Sequence, residues 1–62
     1  MNAEQFKQQF KVGNSISCDH WNDTQRSGSE ILSIHEFTFE AQDLKTKEVH
    51  REFFKKHKWF KV

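Results

Sequence analysis

The sequence predicts an α+β fold that is mainly β, with a short N-terminal helix at residues 1–11 and a β-rich body at residues 12–62. Apolar residues recur with helical spacing near the N-terminus and alternate with polar residues over much of the remaining chain. A folded chain of 62 residues buries only about 60% of the surface that its unfolded form exposes. We therefore expect a single domain with a small core.

The N-terminal segment has the signals of a capped helix. Asn2 can act as the N-cap with Gln5 three positions later, and Gly13 lies just beyond the predicted end. Phe6 and Phe10 fall on one face of this helix. A helix of about ten residues is marginal on its own in water, so these two rings are predicted to pack against the body.

From Val12 the hydrophobic period changes to that of a strand. Val12, Ile16 and Cys18 share one parity, which predicts a first, half-buried strand. Residues 22–29 contain no apolar side chain and are interpreted as an exposed loop.

Residues 30–42 carry the strongest strand signal in the chain. The parity of the apolar positions shifts between Ile34 and Phe37. This shift predicts two strands joined by a tight turn or bulge near His35 and Glu36.

A hairpin loop is predicted at residues 43–48, where Asp43 is suited to start a turn. Two interpretations of the following segment remain open. In the first, residues 49–54 form a returning strand and residues 58–62 a short closing strand. In the second, residues 46–60 form a helix, because their apolar positions also fit one helical face.

Seven Phe and two Trp must carry much of the packing, since only 34% of the residues are hydrophobic. Each such ring can bury on the order of 150–250 Å². Rings at periodic positions are predicted to form the core, and the others remain candidates for a partner, with a place in the core as the open alternative for Trp21 and Trp59. The predicted core rings are Phe6, Phe10, Phe37, Phe39, Phe53 and Phe60, and the predicted available rings are Trp21, Phe54 and Trp59.

The net charge of +1 conceals an uneven distribution of charge along the chain. Residues 1–44 contain three basic and seven acidic residues, a net charge of −4, whereas residues 45–62 contain seven basic and two acidic residues, a net charge of +5. The total argues against a strongly basic nucleic-acid-binding domain. The distribution nevertheless indicates an acidic body and a basic C-terminal segment.

Few residues are suited to catalysis or to metal binding. Cys18 is the lone cysteine, which excludes an internal disulfide and favours a reducing compartment. Cys18 and His20 form one close-spaced pair of potential ligands, and structural zinc sites usually combine two such pairs. No apolar run approaches the roughly 20 residues that span a bilayer, and no signal-peptide pattern is found. We expect a cytoplasmic monomer or small homo-oligomer with no membrane partner, metal, cofactor or enzymatic activity.

Two segments resemble parts of a known family. Residues 10–18, with the sequence FKVGNSISC, resemble the opening of small SH3-like barrels, in which an apolar residue and a Val-Gly turn lead into the first strand. Residues 43–53 resemble the later hairpin of such domains, with Lys47 where a glycine would often lie. The resemblance implies a small, strongly bent antiparallel sheet or SH3-like barrel of about five strands, with an added N-terminal helix. It also implies a class of domains that bind nucleic acid or peptides.

The basic C-terminal segment interleaves lysines with aromatic rings, a composition that suits the phosphates and bases of single-stranded nucleic acid. The first functional hypothesis is therefore a non-enzymatic binding module that contacts nucleic acid. Its predicted contact residues are Arg51, Lys55, Lys56, Lys58, Trp59 and Lys61.

The alternative hypothesis is a protein-binding adaptor or inhibitor, of the kind that phages and mobile elements often encode. In this case an acidic face, which includes Glu36 and Glu40, would meet a basic partner. The residues predicted for this partner surface are Trp21, Asp19, Asp23, Arg26 and Glu30.

Overall fold

One short helix, one 3-10 helix and five strands make up the described part of the chain, which comprises residues 2–24 and 28–62 of a computed structural model. In chain order they are α1 (Ala3–Gln9), β1 (Ser15–Cys18), the 3-10 helix (Asp19–Thr24), β2 (Ser29–Ile34), β3 (Thr38–Asp43), β4 (Val49–Phe53) and β5 (Trp59–Lys61). The strands form an antiparallel sheet in the order β4-β3-β2-β1-β5. The predicted α+β, mainly β class is confirmed. β4 and β5 are the two edges, and the sheet is not closed as a barrel.

The helix α1 begins at the predicted cap. The Oδ1 atom of Asn2 accepts a hydrogen bond from the N–H of Gln5 at 2.9 Å, and the N–H of Asn2 donates to Oε1 of Gln5 at 3.1 Å. This capping box satisfies backbone groups that the start of a helix would leave unpaired. The helix packs against the sheet through Phe6, which is fully buried, and Phe10 is buried just after its end. The predicted docking of both rings is confirmed.

The predicted turn between two strands near His35 is also confirmed. β2 ends at Ile34, β3 begins at Thr38, and the N–H of His35 donates to the carbonyl of Thr38 at 2.8 Å. A register shift between Ile31 and Ser33 adds an irregularity within β2.

Asp43 organises the next turn, as predicted. Its Oδ1 atom accepts hydrogen bonds from the N–H groups of Lys45 and Thr46, each at 2.8 Å. Lys47 has a φ of 68°, which lies in the left-handed region where a glycine is usually preferred. The lysine therefore takes the backbone conformation that glycine has in comparable hairpins.

Residues 46–60 contain two strands, so the interpretation of this segment as a helix is wrong. β4 pairs with β3 from Thr38 opposite Phe53 to Gln42 opposite Val49, and β5 pairs with β1. The Asp43 turn returns the chain beside β3, where the backbone groups of β4 find partners in an existing strand. The side chains of this segment therefore follow the two-residue period of a strand and not the period of a helix.

Two predicted boundaries are wrong. Val12 lies in a turn before β1 and is 61% exposed, because the chain turns at Gly13, whose φ is +97°. The predicted loop at residues 22–29 overlaps the 3-10 helix at its start and β2 at its end. Ser29 is fully buried there, since it is small and its Oγ atom hydrogen-bonds Nε2 of His50 at 3.1 Å. Residues 25–27 of this loop, and with them the predicted partner residue Arg26, lie outside the described residues.

The aromatic residues are sorted differently from the prediction. Three rings predicted to lie in the core are exposed, and the three rings predicted to be available for a partner are buried. The exposed rings are Phe37 (64%), Phe53 (56%) and Phe60 (43%), and the buried rings are Trp21 (3%), Phe54 (2%) and Trp59 (7%).

Strand pairing and alternation explain this reversal in β4 and β5. Phe60 lies opposite Ser17, whereas Trp59 lies opposite Cys18, which belongs to the hydrophobic core cluster. Phe53 belongs to the exposed positions of β4, so alternation places the next residue, Phe54, on the inward side, where it is buried. The ring of Phe54 lies 4.7 Å from the ring of Phe6, measured between centroids.

We expect replacement of Phe39 to destabilise the fold and replacement of Phe37 to have little effect, because only Phe39 lies in the core. Phe39→Ala should lower the free energy of unfolding by about 3–5 kcal/mol, because Phe39 is fully buried. Phe37→Ala should change it by about 0.5 kcal/mol or less, because the ring is mostly exposed. Urea unfolding followed by tryptophan fluorescence measures both. Equal losses in the two variants would contradict this assignment of the core. Phe39→Leu replaces Phe39→Ala if the latter does not fold.

Candidate nucleic-acid interface

The turn between β4 and β5, residues 54–58, is referred to here as the basic turn. The N–H of Lys56 donates to the carbonyl of Phe53 at 3.3 Å, and the indole N–H of Trp59 donates to the carbonyl of Phe54 at 3.2 Å. The second bond is buried, so it fixes the start of the turn to the core. Lys55, Lys56 and Lys58 are exposed on this anchored turn.

The basic turn faces the start of the 3-10 helix across a shallow polar depression of about 540 Å³. Its lining residues define the basic depression: Asp19, His20, Lys55, Lys56, His57 and Lys58. The rings of His20 and His57 stack across it, with centroids 4.7 Å apart and planes inclined by 8°. The ring of His57 also meets the edge of Trp59 at 5.5 Å, which links the stack to the core.

The charge of the basic depression is positive. Three lysines face one carboxylate, that of Asp19, whose Oδ1 atom accepts a hydrogen bond from the N–H of His20 at 2.9 Å. Ammonium groups and imidazole N–H groups are donors that suit phosphate oxygens. The depression is therefore chemically suited to bind an anion.

The structure brings together only part of the predicted nucleic-acid-binding set. Lys55, Lys56 and Lys58 line one depression. Arg51 lies in the middle of β4, where its Nη2 atom is 3.4 Å from Oε1 of Glu40 on β3. Lys61 is exposed on β5.

The two tryptophans take the core position that the sequence left open as the alternative to contact with a partner. Trp59 and Trp21 are both buried, and their rings meet edge to face with centroids 5.1 Å apart. A ring in this position has no exposed face on which a base or a partner side chain could stack. Trp59 instead orients the basic turn through its indole N–H.

The acidic residues predicted for a partner do not gather in one place within the described part of the chain. Asp19 lies among the lysines of the basic depression. Glu40 contacts Arg51 and is 3.1 Å from Nε2 of His35. Glu36 lines an open groove beside α1, and Glu30 is exposed on β2. The side chain of Asp23 lies outside the described residues.

A second depression adjoins the basic turn and was missed from the sequence. It has a volume of about 230 Å³ and is mostly apolar. Its lining residues define the aromatic notch: Asn2, Phe37, Phe53, Phe54 and Lys55. The stacking of His20 on His57 was also missed, because 37 positions of chain separate them and no local pattern pairs them.

Cys18 is buried, and its surroundings keep the thiol protonated. Burial is the main cause that raises its pKa, and the negative charges of Asp19 and Glu52 raise it further, against hydrogen bonds from the backbone of Trp21 and His20 that lower it. A cysteine nucleophile needs the opposite environment, one that stabilises the thiolate. No group of three or more His, Cys, Asp or Glu residues suited to a metal ion occurs among residues 2–24 and 28–62.

In the part of the chain that the structure describes, no helix is both long enough and apolar enough to span a membrane. Comparisons of the chain with models of protein families, with curated protein sequences and with solved structures each gave no match.

The raised pKa of Cys18 predicts a loss of stability in alkaline solution. The folded state holds the thiol proton more tightly than the unfolded state, so this contribution is complete below the ordinary pKa of 9.0 and is lost as the pH rises above it. The free energy of unfolding of the parent chain should therefore fall toward that of Cys18→Ala as the pH rises from 8 to beyond 9.0. Urea unfolding of both chains across this range measures the difference. A constant difference would contradict the prediction.

Proposed function

We propose that the protein is a non-enzymatic binding module that contacts the phosphates of nucleic acid through the basic depression. The observation that carries this proposal is the placement of Lys55, Lys56 and Lys58 on one anchored turn, beside the stacked rings of His20 and His57. The net charge of the whole chain is only +1, so the electrostatic attraction for phosphates comes from the lysines at this end of the sheet.

The proposal explains why the lysines are held by a turn that is itself fixed to the core. Hydrogen bonds to the carbonyls of Phe53 and Phe54 restrict the backbone that carries the lysines. A restricted backbone loses less conformational freedom when phosphates bind, which favours affinity. Arg51 and Lys61 are outside the depression and are assigned at most a general electrostatic contribution.

We infer, as part of the same proposal, that the chain is related to small SH3-like barrels and works in the cytoplasm. The support for the first inference is the five-stranded antiparallel sheet and the Asp43 hairpin. The support for the second is the lone, buried cysteine thiol. Neither inference determines the ligand, which rests on the basic depression alone.

Binding to a fluorescent single-stranded oligonucleotide of roughly 16 nucleotides tests the proposal, because this length fills the larger single-strand binding sites. Three phosphate contacts predict a slope of about −2 in a plot of log K against log salt. Affinity should therefore fall about 20-fold between about 50 and 200 mM salt. The double substitution Lys56→Gln and Lys58→Gln should reduce the slope to about −0.7.

The matched control removes the same charge at the other end of β4. Lys45 and Lys47 lie in the β3–β4 turn, which precedes Val49, whereas the basic turn follows Phe53. Lys45→Gln with Lys47→Gln should leave the slope near −2. The proposal is wrong if no oligonucleotide binds at low salt, or if both double substitutions weaken binding equally. A poly-glutamate peptide that binds more tightly than the oligonucleotide would favour a protein partner instead.

A further inference from the structure

The aromatic notch contains two exposed rings with no aromatic neighbour. Phe37 and Phe53 are 64% and 56% exposed, and neither contacts another aromatic ring in the described part of the chain. The ring of Phe54 is buried at their base and packs against Phe6. Exposure of large apolar rings around a depression is typical of a binding site.

Backbone hydrogen bonds hold the two sides of the notch together. The N–H of Phe54 donates to the carbonyl of Phe37 at 3.3 Å, and Phe53 lies opposite Thr38 in the sheet. The turn that carries Phe37 is closed by the bond from His35 to Thr38 at 2.8 Å. The backbone segments that carry the two exposed rings are therefore fixed before any ligand arrives.

Lys55 connects the aromatic notch to the basic depression. Its side chain belongs to the lining of both. A nucleic-acid strand whose phosphates bind in the basic depression would therefore pass beside the notch at Lys55. Nucleic acid offers this combination of chemistry, because each negatively charged phosphate is followed by a flat aromatic base.

We propose that the aromatic notch receives one unpaired base of a single-stranded nucleic acid whose adjoining phosphates lie in the basic depression. This inference rests on the function proposed above and specifies the substrate as single-stranded. The base packs against the exposed rings of Phe37 and Phe53, and Lys55 binds the phosphate next to it. Asn2 also lines the notch, and because its Oδ1 atom accepts the capping bond from Gln5, its Nδ2 group is the donor for the edge of the base.

The dimensions of the notch agree with this occupant. The volume of about 230 Å³ is below the roughly 300 Å³ of the smallest drug-sized pockets, so the notch suits a small flat group such as one base. A base within a duplex is stacked on both faces and paired along one edge, so it must leave the helix to enter such a site.

Substitution of the two exposed rings by leucine tests the inference. Phe37→Leu with Phe53→Leu keeps an apolar surface but removes the aromatic faces. Affinity for the single-stranded oligonucleotide should fall about tenfold, because stacking of one base on an aromatic ring contributes about that factor. The salt slope should stay near −2, and binding to a duplex of the same length should not change.

Phe60→Leu is the matched control, since Phe60 is also exposed but lies on β5 and outside the notch. It should change the affinity by less than about twofold. Unchanged urea midpoints confirm that both leucine variants fold.

The outcomes separate this inference from the proposed function. If the leucine pair leaves single-stranded binding unchanged while Lys56→Gln with Lys58→Gln weakens it, the base site is wrong and the phosphate site stands. If neither pair has an effect, both proposals are wrong. If the duplex and the single strand bind the parent protein equally well, and the leucine pair weakens binding of both by the same factor, the notch does not select an unpaired base. If oligonucleotide binding is absent and the notch instead binds a peptide with a large apolar side chain, a protein partner replaces the base.

Discussion

The inward position of Phe54 is the constraint on which both depressions at this end of the sheet depend. Its ring packs in the core beside Phe6, its N–H donates to the carbonyl of Phe37, and its carbonyl accepts the indole N–H of Trp59. The residue that follows β4 therefore fixes the base of the aromatic notch and begins the basic turn. Movement of this residue would disturb both depressions together, because buried hydrogen bonds and close packing leave little room for independent adjustment.

Charge on this small protein is concentrated locally while the total stays near zero. Across β3 and β4, the carboxylate of Glu40 lies 3.4 Å from the guanidinium of Arg51, so these two charges offset one another on the sheet. In the basic depression three lysines face the single carboxylate of Asp19. Because exposed charges more than about 10 Å apart are screened at moderate salt, the local excess sets the electrostatic potential at this end of the sheet. The net charge of the whole chain therefore does not describe the charge of the basic depression.

Features set by neighbouring residues were predictable from the sequence, and features set by distant pairing were not. The Asn2 cap and the Asp43 turn each depend on side chains that bond backbone groups two or three positions away. The side of the sheet that an aromatic ring faces depends on register and on where a strand ends. Phe53 belongs to the exposed positions of β4, so alternation places Phe54 inside, and which of the two series faces the core is decided by the pairing of the strand. The lysines of the basic depression could be singled out from composition, whereas the burial of Trp59 follows from pairing that places it opposite the buried Cys18.

The exposure of three phenylalanines is costly in a chain with so few apolar residues. Burying one such ring stabilises a protein by about 1.5–3 kcal/mol, and Phe37, Phe53 and Phe60 forgo roughly half of that contribution. The buried set is complete without them, because Phe6, Phe39, Phe54 and Trp59 already form a continuous series of ring contacts. Folding therefore does not require aromatic rings at the exposed positions. Two of these positions flank one depression, next to the lysine that also lines the basic depression. The packing of the protein does not account for aromatic rings at these two positions, whereas the proposed base site beside a phosphate site does.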